Sequence, residues 1–148
     1  MDRIINNESI VICSVLDAIS LDVNEMSKLY LFAVMSTDRA IRGRIKSYTI
    51  YEDFAKMESA YYQALNRKFV EFQPIFLNAM TMLLLGGKIE KTNDNLYMLT
   101  PEGLMMLMDG LNNEGDVVAD VRDAVIHLNE LAAAKDVNTL YKDLKIVL

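Results

Sequence analysis

The chain has 148 residues, 52% of them apolar, and a formal net charge of −6. That length fits one ordinary domain with a real core, and the apolar content excludes long disorder. Excess acid repels phosphate at long range, which argues against general nucleic-acid binding. The longest apolar runs, about five residues, fall far short of the roughly 20 that a membrane helix needs. Cys13 is the only cysteine, so no internal disulfide can form and a reducing compartment fits. The polar start, Met1 to Glu8, lacks the pattern of an export signal, so a cytoplasmic location is expected.

A first helix is predicted from about Glu8 to Ser20, with Asn6 or Asn7 as its cap. Ile12, Val15, Leu16 and Ile19 form its apolar face, and Cys13 beside them reads as a buried, inert thiol. Asn24 can cap a second helix through about Met35, with Met26, Leu29, Tyr30, Ala33 and Val34 inward. A polar bend at Ser36 to Asp38 leads to the only basic cluster, Arg39, Arg42, Arg44 and Lys46. Such a cluster is either a solvated helix face or loop, or a docking patch for an acidic protein surface or a phosphate.

From Tyr48 to Phe72 the spacing predicts a long helix with an irregular start. Phe54, Met57, Tyr61, Leu65, Phe69, Phe72 and Phe76 make a core stripe. Proline lacks an amide donor and clashes with the preceding turn, so Pro74 should end this helix near Phe72 and open another. The segment Pro74 to Leu85 is apolar nearly all round, and is predicted to be a central, buried helix. Gly86 and Gly87 stop it. Lys88 to Lys91 and Leu96 to Leu99 then read as a hairpin around the turn residues Thr92 to Asn95.

Thr100, Pro101 and Glu102 open a further helix that should bury Leu104, Met105, Leu107 and Met108 and end at Gly110. Asn112 to Gly115 reads as a loop, and Asp116 to about Lys135 as a C-terminal helix. Asn138 to Leu148 suits either a helix or a strand. The fold class is therefore mainly α: a helical domain with a small β-hairpin, winged-helix-like in its central part. Residues 1–110 form that helical, winged-helix-like domain, and residues 111–148 a C-terminal helical extension packed on it.

The stretch GKIEKTNDNLYMLTPEG, Gly87 to Gly103, resembles the wing of a winged helix-turn-helix and its exit. The reading helix would then be Pro74 to Leu85, which must offer polar and basic groups to the bases. It contains no Arg, Lys or Gln, and only Asn78 could contact an adenine. Lys88 and Lys91 of the wing are offset by Glu90 and Asp94. The reading surface is expected to have been replaced by apolar residues.

Catalytic patterns are missing from the sequence. His127 is the single histidine and no cysteine pair exists for zinc. There is neither a phosphate-binding glycine loop nor a nucleophile elbow. Asp120 with Asp123, and Glu52 with Asp53, read as solvated faces rather than an acid–base pair. No enzymatic activity, cofactor or metal is expected. Ten methionines suit either core filling or a surface that repacks on a partner.

The run NRKFVEFQPIFLN, Asn66 to Asn78, is the most distinctive. Together with Asn7 and Glu8, the segment Leu29 to Arg39, and Ile89, Thr100 and Gly103, it resembles the middle components of bacterial three-component ABC-ATPase systems. Asn66, Lys68, Phe69, Pro74, Ile75 and Asn78 carry the match, which covers about the first 105 residues. The resemblance implies a non-enzymatic adaptor that joins an ABC-type ATPase to an effector protein in defence or conflict loci. It brings no catalytic residues.

The leading expectation is thus an adaptor, with Arg39, Arg42, Arg44, Lys46, Arg67 and Lys68 as partner-binding residues. Charge reversal at Arg42 and Arg44 should weaken a complex without unfolding the chain. Exposed apolar surface awaiting a partner would allow a homodimer in isolation. The alternative is a winged-helix transcriptional regulator, which needs Arg67, Lys68, Lys88 and Lys91 on one face with Arg39 to Lys46. An unfamiliar enzyme would need a pocket holding a carboxylate or Tyr61, Tyr62 and His127.

Overall fold

Apolar periodicity organises the chain around its first helix, α1, Asp2–Ala18, in a computed structural model that describes residues 2–18, 21–22, 26–94, 96–113 and 115–146. Ile10, Val11, Ile12, Cys13, Val15 and Leu16 of α1 are all buried, so nearly every side of this helix segment meets protein. α1 starts earlier than its predicted cap, which places Asn6 and Asn7 within the helix. Asn24, the predicted second cap, lies outside the described residues.

β1, Leu21–Asp22, leads into α2, Met26–Thr37, which is buried from Leu29 to Ser36. Asp38 caps α3, Arg39–Ser47, by accepting the Ile41 amide at 3.0 Å. The basic cluster is therefore helical. A short α4, Tyr51–Ala55, precedes α5, Ser59–Leu85.

Pro74 does not break α5, contrary to the sequence prediction. Phe72 and Phe76, either side of it, are both buried against Tyr30, with ring centroids 6.1 and 4.9 Å away. Pro74 itself faces solvent, as does Val70, whose carbonyl the proline leaves without its helical partner. Water can satisfy that carbonyl, and two buried aromatics hold the helix on course across it.

β2, Ile89–Lys91, and β3, Leu96–Leu99, form the predicted hairpin, with Ile89 opposite Leu99 and Lys91 opposite Tyr97. β1 pairs with β3 on its other side, giving an antiparallel sheet in the order β1–β3–β2. Thr100 caps α6, Pro101–Asn113, by accepting the Gly103 amide at 3.1 Å. A Cβ on Gly103 would collide with the Lys88 carbonyl oxygen, so only glycine lets α6 leave the hairpin this closely. α6 runs on past Gly110 instead of stopping there. At that position a Cβ would lie 2.9 Å from Ile10 of α1, so the missing side chain serves helix packing rather than helix ending.

α7, Gly115–Leu131, follows closely on α6, so Asn112, Asn113 and Gly115 of the predicted loop are helical, and Glu114 lies outside the described residues. α7 packs against α1, α2, α3 and α6 through Val118, Val121, Val125 and Leu128. Within the tail Val137–Asp143 is helix, α8, capped by Asp136, which accepts the Thr139 amide at 2.7 Å, while Val147 and Leu148 of the alternative strand lie outside the described residues. Among the described residues, hydrogen bonds tie this tail to the body. Tyr51 donates to Asp143 at 2.9 Å, Tyr141 to the Ser27 carbonyl at 2.9 Å, and Asn66 to the Lys145 carbonyl at 2.9 Å. The fold is mainly α with a small antiparallel sheet, as the sequence predicted. Among the described residues no helix is long and apolar enough to cross a membrane.

Candidate interaction surface

The basic cluster divides into internal fastenings and exposed charge. Arg42 is buried: its Nε donates to Asp120 at 2.7 Å and its Nη1 to the Ser36 carbonyl at 2.8 Å. Lys46 pairs with the same Asp120. Asp120 is thus an anchor between α3 and α7, not half of a solvated pair with Asp123. Arg44 reaches over the α4–α5 connection. Its Nη2 donates to the carbonyls of Phe54 at 2.9 Å and Lys56 at 2.6 Å, and its guanidinium lies 4.6 Å from the Tyr48 ring. Lys68 stands 3.7 Å from Asp38. Arg39 and Arg67 are exposed.

The expectation that Arg42 and Arg44 can be reversed in charge without unfolding is therefore corrected. A carboxylate at either position would face acceptors already committed to the fold, and would leave a buried or half-buried charge unmatched. Arg67 is also set apart from the hairpin lysines by about 27 Å of helix. The six basic residues do not form one free patch.

Other candidates are also internal. His127 Nε2 donates to the Tyr48 carbonyl, tying α7 to the end of α3. The Tyr62 hydroxyl donates to the Ala55 carbonyl at 2.6 Å and accepts the Met57 amide at 3.0 Å. Tyr61 lies against Arg44, 5.3 Å from its guanidinium. All three are engaged in contacts that join neighbouring elements. Burial pushes the Cys13 thiol up to about 12, with Asp17 adding to the shift, which keeps it protonated and unreactive. No cluster of metal-ligating side chains occurs among the described residues.

A cleft of about 410 Å³ opens between α1, α5 and α7. Val11, Phe72, Ile75 and Val121 line it together with Glu8, Lys68 and Glu71. Burial raises the Glu8 carboxyl above its ordinary value, against the opposing pull of its own backbone amide and of Lys68. With Arg42 also in the wall, two acids face two bases, and the lining carries no net charge to select a ligand.

The feature that sequence reading missed is the outer side of α5. Buried Leu65, Phe72, Phe76, Ala79, Met80 and Leu83 occupy one side of the helix. The opposite side, predicted to be buried from Pro74 on, carries Leu77 at 56% exposure and Leu85 at 84%, with Leu84 also exposed and Val70 at 67% continuing the same side upstream. Ile75 and Met82 are exposed on a different flank, Ile75 at the cleft. No charged residue occurs from Gln73 to Gly87. A second apolar group, Leu104, Met105 and Met108, is exposed on α6, where the sequence again predicted burial. Apolar side chains gathered this way on one helix mark a contact surface rather than ordinary scatter. Fully apolar composition was the available clue, but it fits a buried helix and a docking helix equally.

No protein-family model, curated protein or solved structure matches this chain.

Proposed function

We propose that this chain is a non-enzymatic adaptor that holds other proteins together through its apolar helical faces. The observation that carries the reading is the outer side of α5. This helix directly precedes the hairpin, the place from which a winged helix-turn-helix reads DNA. Here that side presents Val70, Leu77, Leu84 and Leu85, which offer nothing to base edges or phosphates. The exposed Leu104, Met105 and Met108 of α6 supply a second face, and an adaptor needs at least two. The resemblance of Asn66 to Asn78 to the middle components of bacterial three-component ABC-ATPase systems suggests the partners: an ABC-type ATPase and an effector.

The test is an affinity pull-down of the tagged chain from its native cell, alongside Met105→Asp. An ATPase and a second large protein co-purifying in defined ratio, reduced by the α6 substitution, is the expected result. Recovery of nuclease-sensitive DNA with no stable protein partner would overturn it in favour of a transcriptional regulator.

A further inference from the structure

The cleft between α1, α5 and α7 joins an apolar floor to charges of both signs. Val11, Phe72 and Val121 in its lining are each 4% exposed, and Ile75, at 45%, stands beside them. At about 410 Å³ the cleft is at the small end of the range that takes small molecules. A lining without net charge favours neither a simple anion nor a simple cation. It suits a small molecule that carries one charge of each sign.

We propose that this cleft binds a free α-amino acid with an apolar side chain. Its carboxylate would meet Arg42 and Lys68, its ammonium Glu8 and Glu71, and its side chain Phe72 and Ile75. This site is separate from the outer side of α5 and from α6, so it stands or falls without the adaptor reading.

Arg42 supplies the fixed end. It is only 9% exposed, and it uses Nε on Asp120 and Nη1 on the Ser36 carbonyl. Among the described residues, the polar side-chain atoms sealed away without a partner are the Ser14 and Ser36 hydroxyls. Nη2 of Arg42 is neither sealed nor bonded there. A guanidinium holds five donors in one rigid plane, so Arg42 keeps a donor for the cleft that it lines. Lys68 stands 3.7 Å from Asp38, too far for a hydrogen bond, so its ammonium can turn to a ligand.

The acids are also open to a ligand. Neither Glu8 nor Glu71 forms an ion pair among the described residues. Burial holds the Glu8 carboxyl above its ordinary value, against the pulls of its backbone amide and Lys68, so a closer cation would relieve it. Lys68 and Glu71 lie one turn apart on α5, about 5–6 Å between their Cβ atoms. Opposite charges this close suit an α-amino acid, which bears both of its charges around a single carbon.

Calorimetric titration of the intact chain with L-phenylalanine and L-leucine tests this, and at least one is expected to bind. Phenylpropionate lacks the ammonium and phenethylamine lacks the carboxylate, so each should bind about 10-fold or more weakly than phenylalanine. Glycine, with no side chain to bury, should give no measurable heat. Glu8→Gln should weaken phenylalanine about 10-fold yet leave phenylpropionate unchanged, whereas mere damage to the fold would weaken both.

The analogue series needs no variant, so it decides the matter even if Glu8→Gln fails to fold. Phenylpropionate or phenethylamine binding as tightly as phenylalanine would overturn the zwitterion. So would a Glu8→Gln chain of full affinity, or the absence of binding by either amino acid at millimolar concentration.

Discussion

Replacing Arg44 with alanine separates a structural basic cluster from a docking one. The guanidinium holds the α4–α5 connection by donating to the Phe54 carbonyl from Nη2 and Nε, at 2.9 and 3.2 Å, and to the Lys56 carbonyl at 2.6 Å. It also rests on Tyr48 and Tyr61. A hydrogen bond from a charged donor contributes about 1.5–3 kcal/mol when shielded. The Lys56 contact is exposed, so its carbonyl regains water and only the Phe54 contact counts near full value. Contact with the rings adds about 0.5–1 kcal/mol. Arg44→Ala should therefore cost about 2–3 kcal/mol, a large part of the roughly 5–15 kcal/mol that holds a domain together. Arg44→Lys should recover only a minor part, because an ammonium cannot fork to several carbonyls and stack at once.

The chain has no tryptophan, so urea unfolding is best followed by far-ultraviolet circular dichroism. Hydrogen exchange should show the loss concentrated in residues 50 to 58. A variant within about 0.5 kcal/mol of the parent would refute the reasoning and return Arg44 to the surface as a docking residue.

Gly103→Ala should destabilise by about 1–3 kcal/mol, because the added methyl meets the rigid Lys88 backbone carbonyl and the hairpin must shift away from α6. A melting temperature lowered by several degrees would report this, and an unchanged one would contradict it. Alkaline stability should follow four groups, the hydroxyls of Tyr30, Tyr51 and Tyr141 and the Cys13 thiol, all held above their ordinary values chiefly by burial. Burial raises the Tyr30 and Tyr141 hydroxyls from 10 to about 12 and the Cys13 thiol from 9 to about 12. The folded state thus favours their protonated forms. Their contribution is whole below pH 9 and is lost as pH rises through about 12, so urea midpoints should be flat to pH 9 and then fall.

Local rules in the sequence determined the helical class, the hairpin and its exit. Thr100, Pro101 and Glu102 open α6 wherever the chain goes, and Asp38 caps α3 by a bond to its own neighbour. Lys88 to Leu99 form a hairpin because turn residues separate two short strand-like runs. Such features depend on contacts a few residues apart, and composition at those positions is enough. Tertiary structure decided the rest. Whether Pro74 breaks a helix depends on Phe72 and Phe76 being held by Tyr30, 42 and 46 residues away in sequence. Whether Arg42 is a patch or a strut depends on Asp120, which the fold brings to it from α7. The apolar stretch from Pro74 to Leu85 reads the same in sequence whether one side or all sides are covered. Only the packing of α5 on α1 and α2 fixed which side became core, and so left Val70, Leu77 and Leu84 facing outward.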